Sequence, residues 1–244
     1  QQQRFKGMLP SGFGGPKLII LGVLILLGLW AANGFYRVQP EEQGVELVFG
    51  KFRDTTGPGL HYNFPSPIGE VLKPRVTSVN QVEVGFRSVA GRGLAGSSTS
   101  DFEEESLMLT GDENIIDVQF AVFWRIADAQ KYLFNIRNPE TTVKDAAEAA
   151  MREIIGKSGF EYARTSGRAD IANKTKVLIQ SILDSYGAGI NVVNVNVQKV
   201  DPPSNVIEAF RDVQAARADQ ERVINEAQAY RNEVTEKAQG QAEQ

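Results

Sequence analysis

The amino-acid sequence predicts an α+β protein with a single N-terminal transmembrane helix and a long C-terminal coiled-coil helix. Three observations carry this. Nineteen uncharged residues, LIILGVLILLGLWAANGFY, lie between Lys17 and Arg37, and no second stretch like them follows. Between about residues 38 and 201, segments with period-two alternation are followed by segments with helical spacing. From Ser204 to Ala238 there is neither Pro nor Gly, and apolar or small residues recur every three or four positions.

The uncharged stretch comes first. At 1.5 Å per residue it makes a helix of roughly 28 Å, close to the ~30 Å hydrocarbon core of a bilayer. Lys17 and Arg37 bracket it, Leu18 and Leu24 belong to its apolar body, and Trp30, Phe35 and Tyr36 sit near one end, where amphipathic rings favour the headgroup zone. The run is longer than the apolar region of a signal peptide, and Asn33-Gly34-Phe35-Tyr36 offers no small-x-small cleavage site, so an uncleaved anchor in membrane lipid is expected. A buried core helix is the alternative reading; it would be apolar on all faces, with no polar stripe. The preceding residues 1–16, QQQRFKGMLPSGFGGP, read as a flexible lead-in. Because the chain starts at Gln1, its true N-terminus is expected to be missing or trimmed. Orientation is a tie by count: Arg4, Lys6 and Lys17 precede the anchor, and Arg37, Lys51 and Arg53 follow it.

Beyond the anchor, residues 38–87 read as short strands and tight turns. Val45, Leu47 and Phe49 alternate before Gly50, and Gly57-Pro58-Gly59 and Pro65-Ser66-Pro67 are turn signals. Residues 90–105, AGRGLAGSSTSDFEEE, are Gly/Ser-rich and then acidic, and are expected to form a mobile surface loop. Leu107 to Ile126 predicts a hairpin that turns at Gly111–Asn114. Ile116, Val118, Phe120, Val122, Trp124 and Ile126 form its core face, and Asp117, Gln119, Ala121, Phe123 and Arg125 a mixed one.

Two helices follow. Asn138-Pro139-Glu140 starts the first, with Val143, Ala147, Ala150 and Ile154 on one face and Gly156 at its end. The second runs from about Arg168 to Tyr186, with Ile171, Thr175, Leu178 and Ile182 expected inside and Gly187 placed as the terminating glycine. A strand from Ile190 to Val200 comes next, with Val193, Val195 and Val197 in alternation, and Asp201-Pro202-Pro203 stops it.

The last helix carries a seam of Val206, Phe210, Val213, Ala216, Gln220, Val223, Ala227, Tyr230, Val234 and Ala238, spaced by about 3.5 residues. A solvated helix of about 35 residues is poorly stable alone, and an Ala-rich seam lets a like helix approach closely. Oligomerisation is therefore expected through Val206, Phe210, Val213, Val223, Ala227, Tyr230 and Val234. Arg217 with Glu221, and Glu233 with Lys237, have the spacing of outer-face ion pairs. The pattern is unfinished at Gln244, so the helix is expected to continue.

Composition excludes several function classes. Net charge is −4, and without a basic stripe no nucleic-acid partner is expected. There are no cysteines, which removes disulfides, thiolate metal sites and cysteine nucleophiles. The single histidine, His61, sits beside a Gly-Pro-Gly turn and reads as structural. No His/Asp/Glu spacing suggests a metal site, no Gly-rich loop suggests a phosphate or cofactor site, and Ser97-Ser98-Thr99-Ser100 lies in a loop that cannot hold a nucleophile against a base. No catalytic residue and no cofactor is expected.

Taken together, VQPEEQGVELVFGKF, GPGLHYNFPSPIGEV, LTGDENIIDVQFAVFWRI, NPETTVKDAAEAAMREIIG and VDPPSNVIEAFRDVQAARADQERVINEAQAYRNEV resemble the stomatin/prohibitin/flotillin/HflK-HflC (SPFH, or band-7) family over nearly the whole chain. LTGDENIIDVQF and ERVINEAQAYRNEV are closest to its bacterial HflK-type members. The resemblance implies a flexible segment (1–16), a transmembrane helix (17–37), a first SPFH subdomain (38–114, with the loop 90–105), a second (115–201) and a coiled-coil helix (202–244). It implies a non-enzymatic scaffold that alternates with an HflC-like sister subunit in a large ring or cage. That cage would enclose the membrane AAA protease FtsH and control substrate access. It also implies the bacterial inner membrane, with the N-terminus cytoplasmic and the SPFH and coiled-coil regions periplasmic. A lipid-domain organiser of stomatin or flotillin type, and a membrane-bound serine endopeptidase, are the competing readings. The endopeptidase lacks any rigid constellation to support it.

Overall fold

The computed structural model describes residues 15–89 and 98–242. In chain order its first elements are α1 (Gly15–Ala32), β1 (Phe35–Val38), β2 (Gly44–Val48), β3 (Lys51–Thr56), β4 (Gly59–Tyr62), β5 (Gly69–Leu72), β6 (Asn80–Val84), β7 (Phe86–Val89), β8 (Ser98–Asp101), α2 (Glu103–Ser106) and β9 (Leu107–Leu109). There follow β10 (Ile115–Ile126), α3 (Ala129–Phe134), α4 (Pro139–Gly156), α5 (Phe160–Arg164), α6 (Arg168–Ser185), β11 (Ile190–Asp201), a 3-10 turn (Ser204–Val206) and α7 (Ile207–Ala242).

These residues form two compact units that interleave along the chain. The first holds the residues up to Gln81 with Phe123–Ala146 and Val177–Asn194; the second holds Val82–Val122, Ala147–Lys176 and the residues from Val195 onward. The compact units are therefore not the sequential pair divided at 114/115. The twelve-residue strands β10 and β11 each run through both, so no single cut in the sequence separates them. The two strands are neighbours in one sheet of order β11-β10-β6, with β9 antiparallel to the start of β10.

In the first unit, β3-β2-β5 form an antiparallel sheet, and β1 pairs with β4 with Phe35 opposite Tyr62. Val45 and Leu47 are buried with Ala129 of α3, and Leu72, Val76 and Leu133 pack around them. Asp128 caps α3 by accepting the Lys131 amide at 3.1 Å.

The apolar helix ends earlier than the expected 17–37 span. It stops at Ala32, and Tyr36 and Arg37 lie in β1. The cause is a turn at Asn33-Gly34: both amides bond back into the helix, and the Asn63 amide donates to Gly34 O at 3.0 Å. A Cβ on Gly34 would meet Asn63 O at 2.3 Å, so only glycine allows this approach. Among the described residues no helix is long and apolar enough to cross a membrane. The flexible segment expected at 1–16 lies outside the described residues, apart from Gly15 and Pro16 in α1.

In the second unit the buried side chains include Val84, Met108, Ile116, Val118, Phe120 and Val122. Ala147, Ala150, Met151 and Ile155 of α4 are also buried, and the Thr175 hydroxyl of α6 lies 3.6 Å from Met151 Sδ. Each large apolar side chain so buried contributes about 1.5–3 kcal/mol.

The loop expected at 90–105 is corrected in its second half. Residues 90–97 lie outside the described set, but β8 pairs antiparallel with β7, and α2 follows. Glu105 is held by Arg87 at 2.9 Å, so the acidic run carries a partner that composition did not reveal.

Helix phases also shift. The buried face of α6 is Ile171, Thr175, Ile179 and Leu183, a strict i+4 series, with Leu178 and Ile182 at its margin. Ile155 rather than Ile154 is fully buried in α4. In β11, Ile190 and Val192 are buried, then Val195, so the alternation changes phase where the strand passes between units, and Val193 is exposed.

Candidate interaction surface

Nearly all described side chains of α7 are exposed, and its foot is built within the second unit. Pro202-Pro203 cannot continue β11, and the Val206 amide closes the 3-10 turn onto Pro203 O at 3.0 Å. The Phe210 ring then meets Phe160 of α5 edge-on, with centroids 4.8 Å apart and planes at 68°.

Phe160 is itself fixed. Its amide donates to both carboxylate oxygens of Asp112 at 3.1 Å, which caps α5. The Thr110 hydroxyl donates to Asp112 Oδ1 at 2.5 Å. That bond first, with the Phe160 amide among the lesser causes, holds the Asp112 carboxyl below its ordinary range. The Gly111 amide bonds Ser158 O at 2.9 Å, and a Cβ at Gly111 would lie 2.9 Å from Gly156 O. The turn read from sequence as a simple hairpin connection thus clamps the base of the long helix. Beside it runs an open groove of about 450 Å³, lined by Ile115, Phe160, Val206, Phe210, Val213 and Arg217 among others.

The seam residues fall into two groups. Phe210 packs within its own chain, whereas Val206, Val213, Val223, Tyr230 and Val234 are 45–69% exposed, and Ala227 is exposed too. Ile224, which the seam did not include, is 46% exposed and adds to the apolar surface. Its position immediately after Val223 was the available signal. Glu233 and Lys237 pair at 2.5 Å. The expected Arg217–Glu221 pair is absent among the described residues; Arg222 instead bridges Asp219 and Glu226 at 3.2 and 3.1 Å.

The residues expected in the anchor separate as well. Leu24 is 59% exposed, and the Trp30 indole donates to Ser66 O at 2.9 Å. Lys17 and Leu18 lie in α1 with side chains outside the described ones. Tyr36 does not face outward: its hydroxyl donates to the buried Glu46 at 2.6 Å and lies 2.9 Å from Thr56 Oγ1. The Arg37 carbonyl accepts from Lys73 Nζ at 3.0 Å.

Elsewhere, Lys199 reaches the nearly buried Asp117 at 2.7 Å, and that bond raises the lysine pKa. His61 Nε2 lies 2.8 Å from Gly57 O, so the ring is tied to its own turn. Among the described residues no three His, Asp or Glu side chains come together to hold a metal.

The SPFH domain / Band 7 family matches residues 36–231. The chain is 37% identical over 240 residues to Protein HflK of Vibrio cholerae, covering 98% of this chain and 55% of that protein. It is 34% identical over 229 residues to the Modulator of FtsH protease HflK of Escherichia coli strain K12, covering 94% and 50%. It is 35% identical over 223 residues to Protein HflK of Treponema pallidum, covering 91% and 67%. The chain spans about half the length of most of these curated relatives.

Proposed function

The chain belongs to the SPFH domain / Band 7 family, and on that premise we propose that it is a membrane-anchored assembly subunit. In this reading it modulates an FtsH-type AAA protease by controlling substrate access and itself cleaves nothing. The observation that carries the reading is α7: 36 residues long, held to its domain at Phe210 and exposing an apolar seam beyond it. Such a helix is marginal alone and gains stability by packing against like helices. A ring of them would wall off a membrane protease and exclude or admit substrates sterically. The neighbours would include an HflC-like sister subunit.

The anchor would be formed by α1 with its flanking residues. Its 18 residues rise ~27 Å, and its side chains from Ile20 to Leu29 are apolar and largely exposed. Lipid would cover them. The N-terminus would be cytoplasmic and the rest periplasmic at a bacterial inner membrane. The name of the Escherichia coli relative, Modulator of FtsH protease HflK, supports the protease connection.

The test is gentle detergent extraction of the full-length protein, followed by mass measurement, imaging and identification of co-purifying chains. A multi-subunit ring with an FtsH-type protease is expected. A monomer that brings no protease down overturns the proposal.

A further inference from the structure

Two features of the first unit serve neither its core nor the long helix. One is Phe49. With Gly50 it makes the two-residue turn between β2 and β3, and both residues have positive φ, +52° and +74°. Such a turn favours Asn or Gly, and a bulky side chain there is strained. Phe49 is 76% exposed, so it buries little within the chain to offset that strain. The other feature is the pair Lys51 and Arg53 in β3. Glu46 pairs with Asp54 and Leu47 with Phe52, which leaves Arg53 as the extra residue of a β-bulge, a device that re-aims a side chain. Both cations are exposed, and among the described residues neither belongs to an ion pair. The nearby acids are engaged elsewhere: Asp54 accepts the Thr55 amide at 2.7 Å, and Glu46 accepts the Tyr36 hydroxyl at 2.6 Å.

Contacts within the unit bring both features to one end of α1. The Phe49 amide donates to Ile68 O at 2.8 Å. In the same loop Ser66 O accepts the Trp30 indole at 2.9 Å. The Arg53 guanidinium lies over the Phe64 ring, 5.6 Å from its centroid, and Phe64 is 44% exposed. Residues 64–68 thus join Phe49, Phe64 and Arg53 to the last turn of the apolar helix. We infer that Lys51 and Arg53 bind the phosphate of an anionic phospholipid headgroup, with Phe49 and Phe64 as the apolar flank beside its acyl chains. This rests on the proposed anchoring by α1, which sets its end at headgroup depth. With the domain periplasmic, as proposed, the two cations stand on the side that the positive-inside rule leaves poor in them, and a phosphate ligand gives them a use there. A zwitterionic lipid carries its own ammonium beside the phosphate, which competes with the protein's cations. An anionic lipid has no such competitor, so the site selects it.

The full-length protein tests this in mixed bilayers of phosphatidylcholine and phosphatidylglycerol, with bromine on the acyl chains of one lipid or the other. Bromine quenches a neighbouring indole, so Trp30 reports which lipid lies beside it, while the buried Trp124 gives a constant background. Phosphatidylglycerol is expected to be enriched over its share of the bilayer, by about fivefold for each cation. Lys51→Gln with Arg53→Gln, a change confined to exposed side chains, is expected to remove the enrichment. Soluble glycerol phosphate is expected to leave it unchanged; competition by that ion would assign the site to a free phosphate and overturn the lipid. Quenching by both lipids in proportion to their share, or an enrichment that survives the double substitution, overturns the inference while leaving the anchor reading intact. Quenching by neither lipid overturns both.

Discussion

Phe210→Ala separates two roles within one apolar seam. Phe210 is half-buried against Phe160, which is 4% exposed, and their rings meet edge-on at 4.8 Å. Truncating a fully buried phenylalanine costs about 3–5 kcal/mol, and an aromatic pair contributes about 0.5–1.5 kcal/mol of such a total. At half burial the expected loss is about 2 kcal/mol. Tyr230 lies on the same seam but is 69% exposed, so Tyr230→Ala is expected to change the stability of the isolated chain by less than about 0.5 kcal/mol while weakening assembly. The assay is urea unfolding of the full chain in detergent, at a dilution where it sediments as a monomer, with hydrogen exchange read at the first three turns of α7. Faster exchange there is expected for Phe210→Ala and not for Tyr230→Ala. Equal small effects of both on unfolding, with unchanged exchange, would refute the idea that the aromatic contact holds the helix to its domain.

Val223→Asp places a charge on a residue 56% exposed in the single chain, so it should leave monomer unfolding unchanged and lower the assembled fraction in sedimentation; His61→Ala should change neither. Lys199→Ala leaves Asp117 at 9% exposure without its 2.7 Å partner. It should cost about 2 kcal/mol at neutral pH by urea unfolding, less than a wholly buried pair because the lysine is partly solvated. The raised lysine pKa fixes the sign of the pH effect: the contribution is full below about 10.5 and fades as pH rises above it, so the variant should converge with the parent in alkali. Asp112 has the opposite sign. Its lowered pKa makes its cap stabilising above 3.8 and lost as pH falls below it, so Asp112→Asn should flatten the acid limb of the stability profile.

Local rules with one dominant cause were legible in the sequence. The core face of β10 is buried at all six residues of its alternation, because a strand with a two-residue period has only one way to bury them. The boundaries of α4 and α6 match within a residue or two, since Pro139 and Gly187 punctuate them. What escaped were effects of distant residues. Nothing near Tyr36 announces that Glu46 and Thr56 will take its hydroxyl, and nothing near Gly34 announces the Asn63 carbonyl. β8 was hidden because Ser98–Asp101 has no apolar pattern and is defined by its pairing with Phe86–Val89. The buried face of α6 moved by one position because the apolar pairs Leu178–Ile179 and Ile182–Leu183 leave the phase open by periodicity alone, and tertiary packing chose it. Along α7, the seam was readable as a repeat. The assignment of Phe210 to its own domain depended on Phe160, fifty residues away.

In the proposed function this chain changes proteolysis by controlling access and cleaves nothing itself. The most direct measurement is degradation of a membrane substrate by the purified FtsH-type protease, with and without the full-length chain and an HflC-like protein, and with an inactive protease. The chain is expected to alter the rate only when the protease is active, and Val223→Asp is expected to remove the alteration. Cleavage by the chain and the HflC-like protein alone, surviving repurification and the inactive protease, would contradict it.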